Sequence, residues 1–141
     1  MSSLKDIPIQ VNQTTIGILP LLYEIHHALT KLLKDHEDTL IDLRNLPLSS
    51  QEKQSLLNTL GKGEISAELN ALGRSLVWET QFAGVWVVEH YSTEEVLLSQ
   101  TVEITQIPTI LKSPLEDVQA GLERLEEQLS LLKEKKETKF L

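Results

Sequence analysis

A chain of 141 residues with 40% apolar and 24% charged side chains has the size and composition of one globular domain, long enough to bury a core without covalent staples. It contains no cysteine, which excludes disulfides, thiolate metal sites, iron–sulfur ligation and cysteine nucleophiles. The formal charge of −8, with basic residues gathered only near the C-terminus, argues against nucleic-acid binding by phosphate neutralisation.

Residues 1–18 are mostly polar, with scattered Ile and Val and a proline at position 8, and read as a flexible N-terminal arm. They show neither a basic stretch nor an apolar run of the kind that marks a secretory signal. Apolar runs elsewhere are far too short to cross a membrane, so the expectation is a soluble, cytoplasmic chain. A helix is predicted from about Leu19, with Pro20 tolerated in its first turn. Leu21, Leu22, Ile25, Leu29, Leu32 and Leu33 form its apolar stripe, and Glu24, His27, Lys31 and Lys34 its polar side.

TLIDL at residues 39–43 is short, partly β-branched and bounded by charge, and reads as a strand. Ser49 followed by Glu52 is a capping box that opens a second helix with Leu56, Leu57 and Leu60 inward. Gly61 falls where that helix needs a left-handed residue to stop it. The loop Gly61-Lys62-Gly63 superficially suggests a phosphate cradle, but here a helix ends and a strand begins, the reverse of the order such loops require.

An array of strands follows, at residues 64–70, 75–82 and 85–91, holding both tryptophans and one of the two phenylalanines. With Ala83-Gly84 as a two-residue turn, Phe82 opposes Val85. One face then carries Leu76, Trp78, Phe82, Val85, Val87 and Tyr91, and reads as core. The other carries Val77, Glu79, Gln81, Trp86, Val88 and His90. That second face is either covered by a helix of the same chain or exposed. If exposed, a tryptophan ringed by polar groups has the composition of a protein-binding hot spot.

Residues 96–107 read as a further strand, with Val96, Leu98, Val102 and Ile104 sharing one parity. Ser113 and Glu116 make a second capping box, with Pro114 at the first helical position. The last helix places Leu115, Val118, Leu122, Leu125, Leu129 and Leu132 at alternating spacings of three and four. That seam fits packing on the sheet in its first half, and a partner or second copy in its second.

Candidate chemistry is sparse. Glu24 and His27 stand one helical turn apart, the spacing of a ligand pair, but a metal site needs three or four converging groups. The carboxylates Glu64, Glu68, Glu79, Glu89 and Glu103 lie on predicted strands, where alternation usually turns such side chains to solvent. No Ser-His-Asp order and no nucleophile elbow is present, so an enzyme is not expected.

The wording of the chain is more specific than its chemistry. The blocks IDLRNLPLS (residues 41–49), LGKGEISAEL (60–69), WETQFAGVWVVEHY (78–91), VEITQIPTIL (102–111) and the following PLEDVQAGLERL resemble, in that order, the C-terminal domain of the HupH/HyaF family of nickel–iron hydrogenase expression and formation proteins. The resemblance covers most of the chain after about residue 19. It implies a cytoplasmic accessory protein, chaperone-like, for maturation of an uptake hydrogenase, with the hydrogenase small subunit, its precursor or other maturation proteins as partners. It supplies no catalytic residues and no cofactor. Two departures stand out: family members are often considerably longer, and Val87 occupies a position that is often a second tryptophan.

The expectation is therefore an α+β domain over residues 19–141, a small antiparallel sheet of about four to five strands with about three helices packed on it, the last one long. Gly61, Gly63 and Gly84 are expected to set the backbone, and Trp86, Glu79, Glu64, Val88 and His90 to contact the partner. Two other classes remain open: a nickel- or iron-handling protein using Glu24 and His27, and a stand-alone module that forms a homodimer through its C-terminal helix.

Overall fold

The computed structural model describes residues 13–139, and the first twelve residues of the expected arm lie outside that range. The chain divides into two compact units, Met1–Gln106 and Ile107–Leu141. The first contains helices α1 (Gln13–Asp35) and α2 (Ser50–Leu60) and strands β1 (Thr39–Asp42), β2 (Ser66–Ala71), β3 (Gly73–Glu79), β4 (Val85–Tyr91) and β5 (Leu97–Ile104). The second contains a single 3-10 turn and helix α3 (Leu115–Lys139). The expected α+β class holds, with three helices, five antiparallel strands and a long last helix.

Helix α1 begins six residues earlier than the sequence suggests. Thr14, Thr15, Ile16 and Gly17 are weak helix formers, which is why the segment reads as an arm. Burial overrides that preference: Ile18 is fully buried and joins Leu21, Ile25 and Ala28 in one stripe at spacings of three, four and three. Pro20 consequently lies inside the helix rather than in its first turn. It is exposed there, so water can meet the backbone carbonyl that its missing N–H leaves unpaired. Leu33, expected on the stripe, points to solvent.

Helix α2 starts as its sequence demands. The Ser49 side chain accepts from the Glu52 amide at 3.1 Å, and the Glu52 carboxylate accepts from the Ser49 amide at 2.9 Å. Leu56 and Leu60 are its buried residues. Gly61 then ends it at φ +67° and ψ −165°, a region open in practice only to glycine.

The strand order is β1-β5-β4-β3-β2: a four-strand meander with β1 added antiparallel to β5. The β3–β4 connection is longer than a two-residue turn. Thr80 N–H donates to Val85 O at 2.9 Å, and Val85 N–H to Phe82 O at 3.0 Å. Glu79 therefore pairs with Trp86, and Trp78 with Val87. This register differs by two residues from the expected one. Side chains alternate with a period of two, so a two-residue slip preserves which face each residue occupies. Phe82 is the casualty, held in the loop and exposed rather than in the core.

The main core lies between α1, α2 and one sheet face. Ile18, Leu21, Ile25, Leu56 and Leu60 from the helices meet Ile41, Val85, Val102 and Ile104 from the strands. Trp78, Leu76 and Tyr91, expected there, are only half-buried toward the sheet margin. Val96 and Leu98 share parity with Val102 and Ile104 but are exposed, because a bulge opposite His90 and Tyr91 breaks the register at that end.

Candidate partner-binding face

The second sheet face is a grid set by three adjacent strands. Glu79, Trp86 and Glu103 form one row across β3, β4 and β5. Val77, Val88 and Thr101 form the next, and Ser75, His90 and Ser99 the third. Leu40 of β1 extends the first row beyond Glu103 and stands exposed. Four of the five expected contact residues thus share this face: Glu79, Trp86, Val88 and His90.

Of the two conditions left open by the sequence, exposure does not hold for Trp86 and Val88. Trp86 is only 4% exposed and Val88 and Val77 are fully buried. The indole N–H donates to the Thr105 carbonyl at 3.1 Å, which removes the penalty of burying it. As they sit here, both side chains are buried and the indole N–H is already bonded.

The polar members are engaged internally. The Glu79 carboxylate accepts from the Gly84 N–H at 3.1 Å and so closes the β3–β4 loop at the point where Gly84 takes φ +89°. His90 Nδ1 lies 2.7 Å from Ser75 Oγ across the strand pair. Glu103 is half-buried beside Trp86, and burial pushes its carboxyl above the usual carboxylate range. A positive charge on His90 would oppose that shift, and Asp38 adds to it.

Glu64 is off the grid but adjacent to it. Gly63 N–H donates to Glu79 O at 2.7 Å, and Glu79 N–H donates to Ile65 O at 2.9 Å, so these bonds bracket Glu64 against the end of β3. Glu64 itself is exposed, as is Ile65 beside it. Gly63 is required by proximity: a Cβ there would lie 2.6 Å from the Thr80 carbonyl oxygen. Lys62, next to it, places its ammonium 5.0 Å from the Trp78 ring centroid.

One sequence expectation about charge changes. Glu89 does not face solvent: it is buried on the helix-covered face, accepting from Gln100 Nε2 at 2.7 Å and from the Tyr91 hydroxyl at 3.1 Å. Burial and that carboxylate raise the Tyr91 phenol above its ordinary value. Glu24 and His27 are both exposed on the outer side of α1, and among the described residues no group of three His, Cys, Asp or Glu is placed to hold a metal ion. Glu103 was visible as a strand carboxylate, but its place beside Trp86 depends on a pairing between β4 and β5 that local pattern does not specify.

Fold and face together define an α+β domain whose sheet is backed by two helices and in which Glu79, Trp86 and His90 of the second face are engaged in internal bonds. The family model for the HupH hydrogenase expression protein, C-terminal conserved region, matches residues 16–132, and the chain belongs to that family. It is 28% identical over 126 residues to the hydrogenase expression/formation protein HoxQ of Azotobacter vinelandii, covering 84% of this chain and 44% of that protein. It is 24% identical over 110 residues to the hydrogenase expression/formation protein HupH of Rhizobium leguminosarum bv. viciae, covering 78% of this chain and 39% of that protein. The chain thus spans less than half the length of these relatives. The solved structure of the hydrogenase expression protein HupH from Thiobacillus denitrificans ATCC 25259 superposes with a TM-score of 0.78 at 37% identity, covering 81% of this chain and 95% of that one. Among the described residues, no helix is long and apolar enough to cross a membrane.

Proposed function

We propose that this chain is a non-enzymatic accessory protein for the formation of a nickel–iron hydrogenase, acting in the cytoplasm as a chaperone-like binder of the small subunit or its precursor. The observation that carries the reading is the family match over residues 16–132, whose description names hydrogenase expression. Binding rather than catalysis is favoured by the use of the polar groups on the grid. Glu79 holds a backbone amide, the Trp86 N–H is satisfied and His90 is tied to Ser75, so these groups stiffen a surface instead of standing poised over a substrate.

The contact surface is then the accessible margin of the grid. Glu64 and Ile65 project at the end of β3, Leu40 lies at the β1 edge, and Glu79 and His90 present what remains exposed between them. Trp86 and Val88 act beneath that surface as its support. An acidic rim beside exposed apolar groups suits a basic, partly apolar segment of a partner.

The test is recovery of partners on the tagged chain from cells expressing hydrogenase, identified by mass spectrometry. Small-subunit precursor is expected, reduced about tenfold by Glu64→Lys in a variant whose circular dichroism is unchanged. Recovery of no hydrogenase component contradicts the proposal, and recovery indifferent to Glu64→Lys contradicts the placement of the surface.

A further inference from the structure

Helix α3 carries a complete apolar seam that stands exposed among the described residues. Leu115, Val118, Leu122, Leu125, Leu129 and Leu132 occupy successive a and d positions, and every one is between 50 and 85% exposed. An isolated helix draws most of its stability from burial of such a face. A contiguous exposed stripe of six large aliphatic side chains is an association surface.

Two further features say what covers it. Charge is divided along the helix: residues 115–127 hold Glu116, Asp117, Glu123, Glu126 and Glu127 against the single base Arg124. Residues 128–138 hold Lys133, Lys135 and Lys136 against Glu134 and Glu137. A second copy in parallel alignment would set the acidic halves side by side. In antiparallel alignment the acidic first turn of each copy, Glu116 and Asp117, lies toward the partner's Lys133, Glu123 falls opposite the partner's Arg124, and the helix dipoles oppose favourably as well.

The second feature is Gly121, in the middle of the helix and flanking the seam. Glycine in a helix interior costs roughly 1 kcal/mol relative to alanine. Among the described residues nothing lies within 4 Å of where its Cβ would be, so no contact among them calls for it. A second helix packed close alongside would make use of that space.

We propose that two copies of this chain associate through α3 as an antiparallel helix pair. Alignment about the centre of the seam pairs each a position with a d position of the other copy: Leu115 with Leu132, Val118 with Leu129, and Leu122 with Leu125. All twelve apolar side chains are then used, and no charged residue enters the seam between its ends. The dimer presents two sheet units, one from each copy, so the partner-binding surfaces become bivalent.

The absence of native cysteine makes a direct test possible. Val118→Cys and Leu129→Cys are made separately, in full-length chains, and oxidised alone and mixed. Antiparallel pairing predicts a crosslink between the two variants in the mixture and little in either alone, because like positions then lie about 16 Å apart along the axis. Efficient crosslinking of Val118→Cys with itself overturns the orientation. Light scattering of the unmodified chain is expected to show a dimer that Leu122→Glu weakens at least a hundredfold while helix content persists at high concentration. A monomer at every concentration overturns the proposal, including the case in which the seam engages a hydrogenase component instead.

Discussion

Helices α1 and α3 are nearly equal in length, 23 and 25 residues, and both are amphipathic, yet they meet opposite fates. The stripe of α1 at Ile18, Leu21, Ile25 and Ala28 is buried against α2 and the sheet, although its first turns are poor helix formers and a proline sits inside it. The stripe of α3 is built from strong helix formers at cleaner spacing, and it is exposed. Periodicity therefore identifies an apolar face, but not whether the fold buries it. The difference lies in charge and composition around the stripe. α1 has a mixed, nearly uncharged first half beside an aliphatic sheet, whereas most positions of α3 outside its seam are charged.

Substitutions on the two stripes should separate most strongly. Ile18→Ala on α1 is expected to lower unfolding stability by about 2–5 kcal/mol, because a fully buried side chain leaves a cavity between packed elements. Leu125→Ala on α3, measured at concentrations where the chain is monomeric, should move it by no more than about 0.5 kcal/mol. Equal losses from the two in denaturant titrations would remove the distinction.

Within the first unit, the glycines at the α2–β2 junction come next. Gly61→Ala must adopt a strained backbone and Gly63→Ala must push against the Thr80 carbonyl, each costing about 1–3 kcal/mol by chemical denaturation. Ser49→Ala, which unmakes half of a capping box, should cost about 1 kcal/mol, and Ser49→Asp should retain most of it.

The smallest effect is in pH dependence. The folded state raises the Glu103 carboxyl above its unfolded value, so it binds that proton more tightly than the unfolded chain does. The resulting stability is present below the ordinary carboxylate range and is lost as pH rises through the folded value. Glu103→Gln should therefore be more stable than the parent at neutral pH, with the advantage vanishing in acid. Thermal melts across that range check the sign.

Sequence pattern reached the fold class, the capping box at Ser49 and both faces of the β3–β4 pair. The faces survived a register error only because the error was an even number of residues: Glu79 still shares a side with Trp86, as it would have under the tighter turn. Phe82 shows the cost of that same error, since a longer loop moved it out of the strand. The start of α1 was illegible because burial of Ile18, a long-range effect, outweighs the local weakness of Thr14–Gly17. Of the candidate face, alternation showed which residues share a side with Trp86, but whether that tryptophan is buried is a matter of tertiary placement and of one acceptor, the Thr105 carbonyl, nineteen residues away.

The contrast between the two helices is tested most directly by amide hydrogen exchange of the full chain at low and high protein concentration. Amides of α1 should be strongly protected at both concentrations, and those of α3 weakly protected when dilute and progressively protected as concentration rises. Protection of α3 equal to that of α1 and independent of concentration would contradict the assignment of α3 as a helix whose burial comes from a second copy.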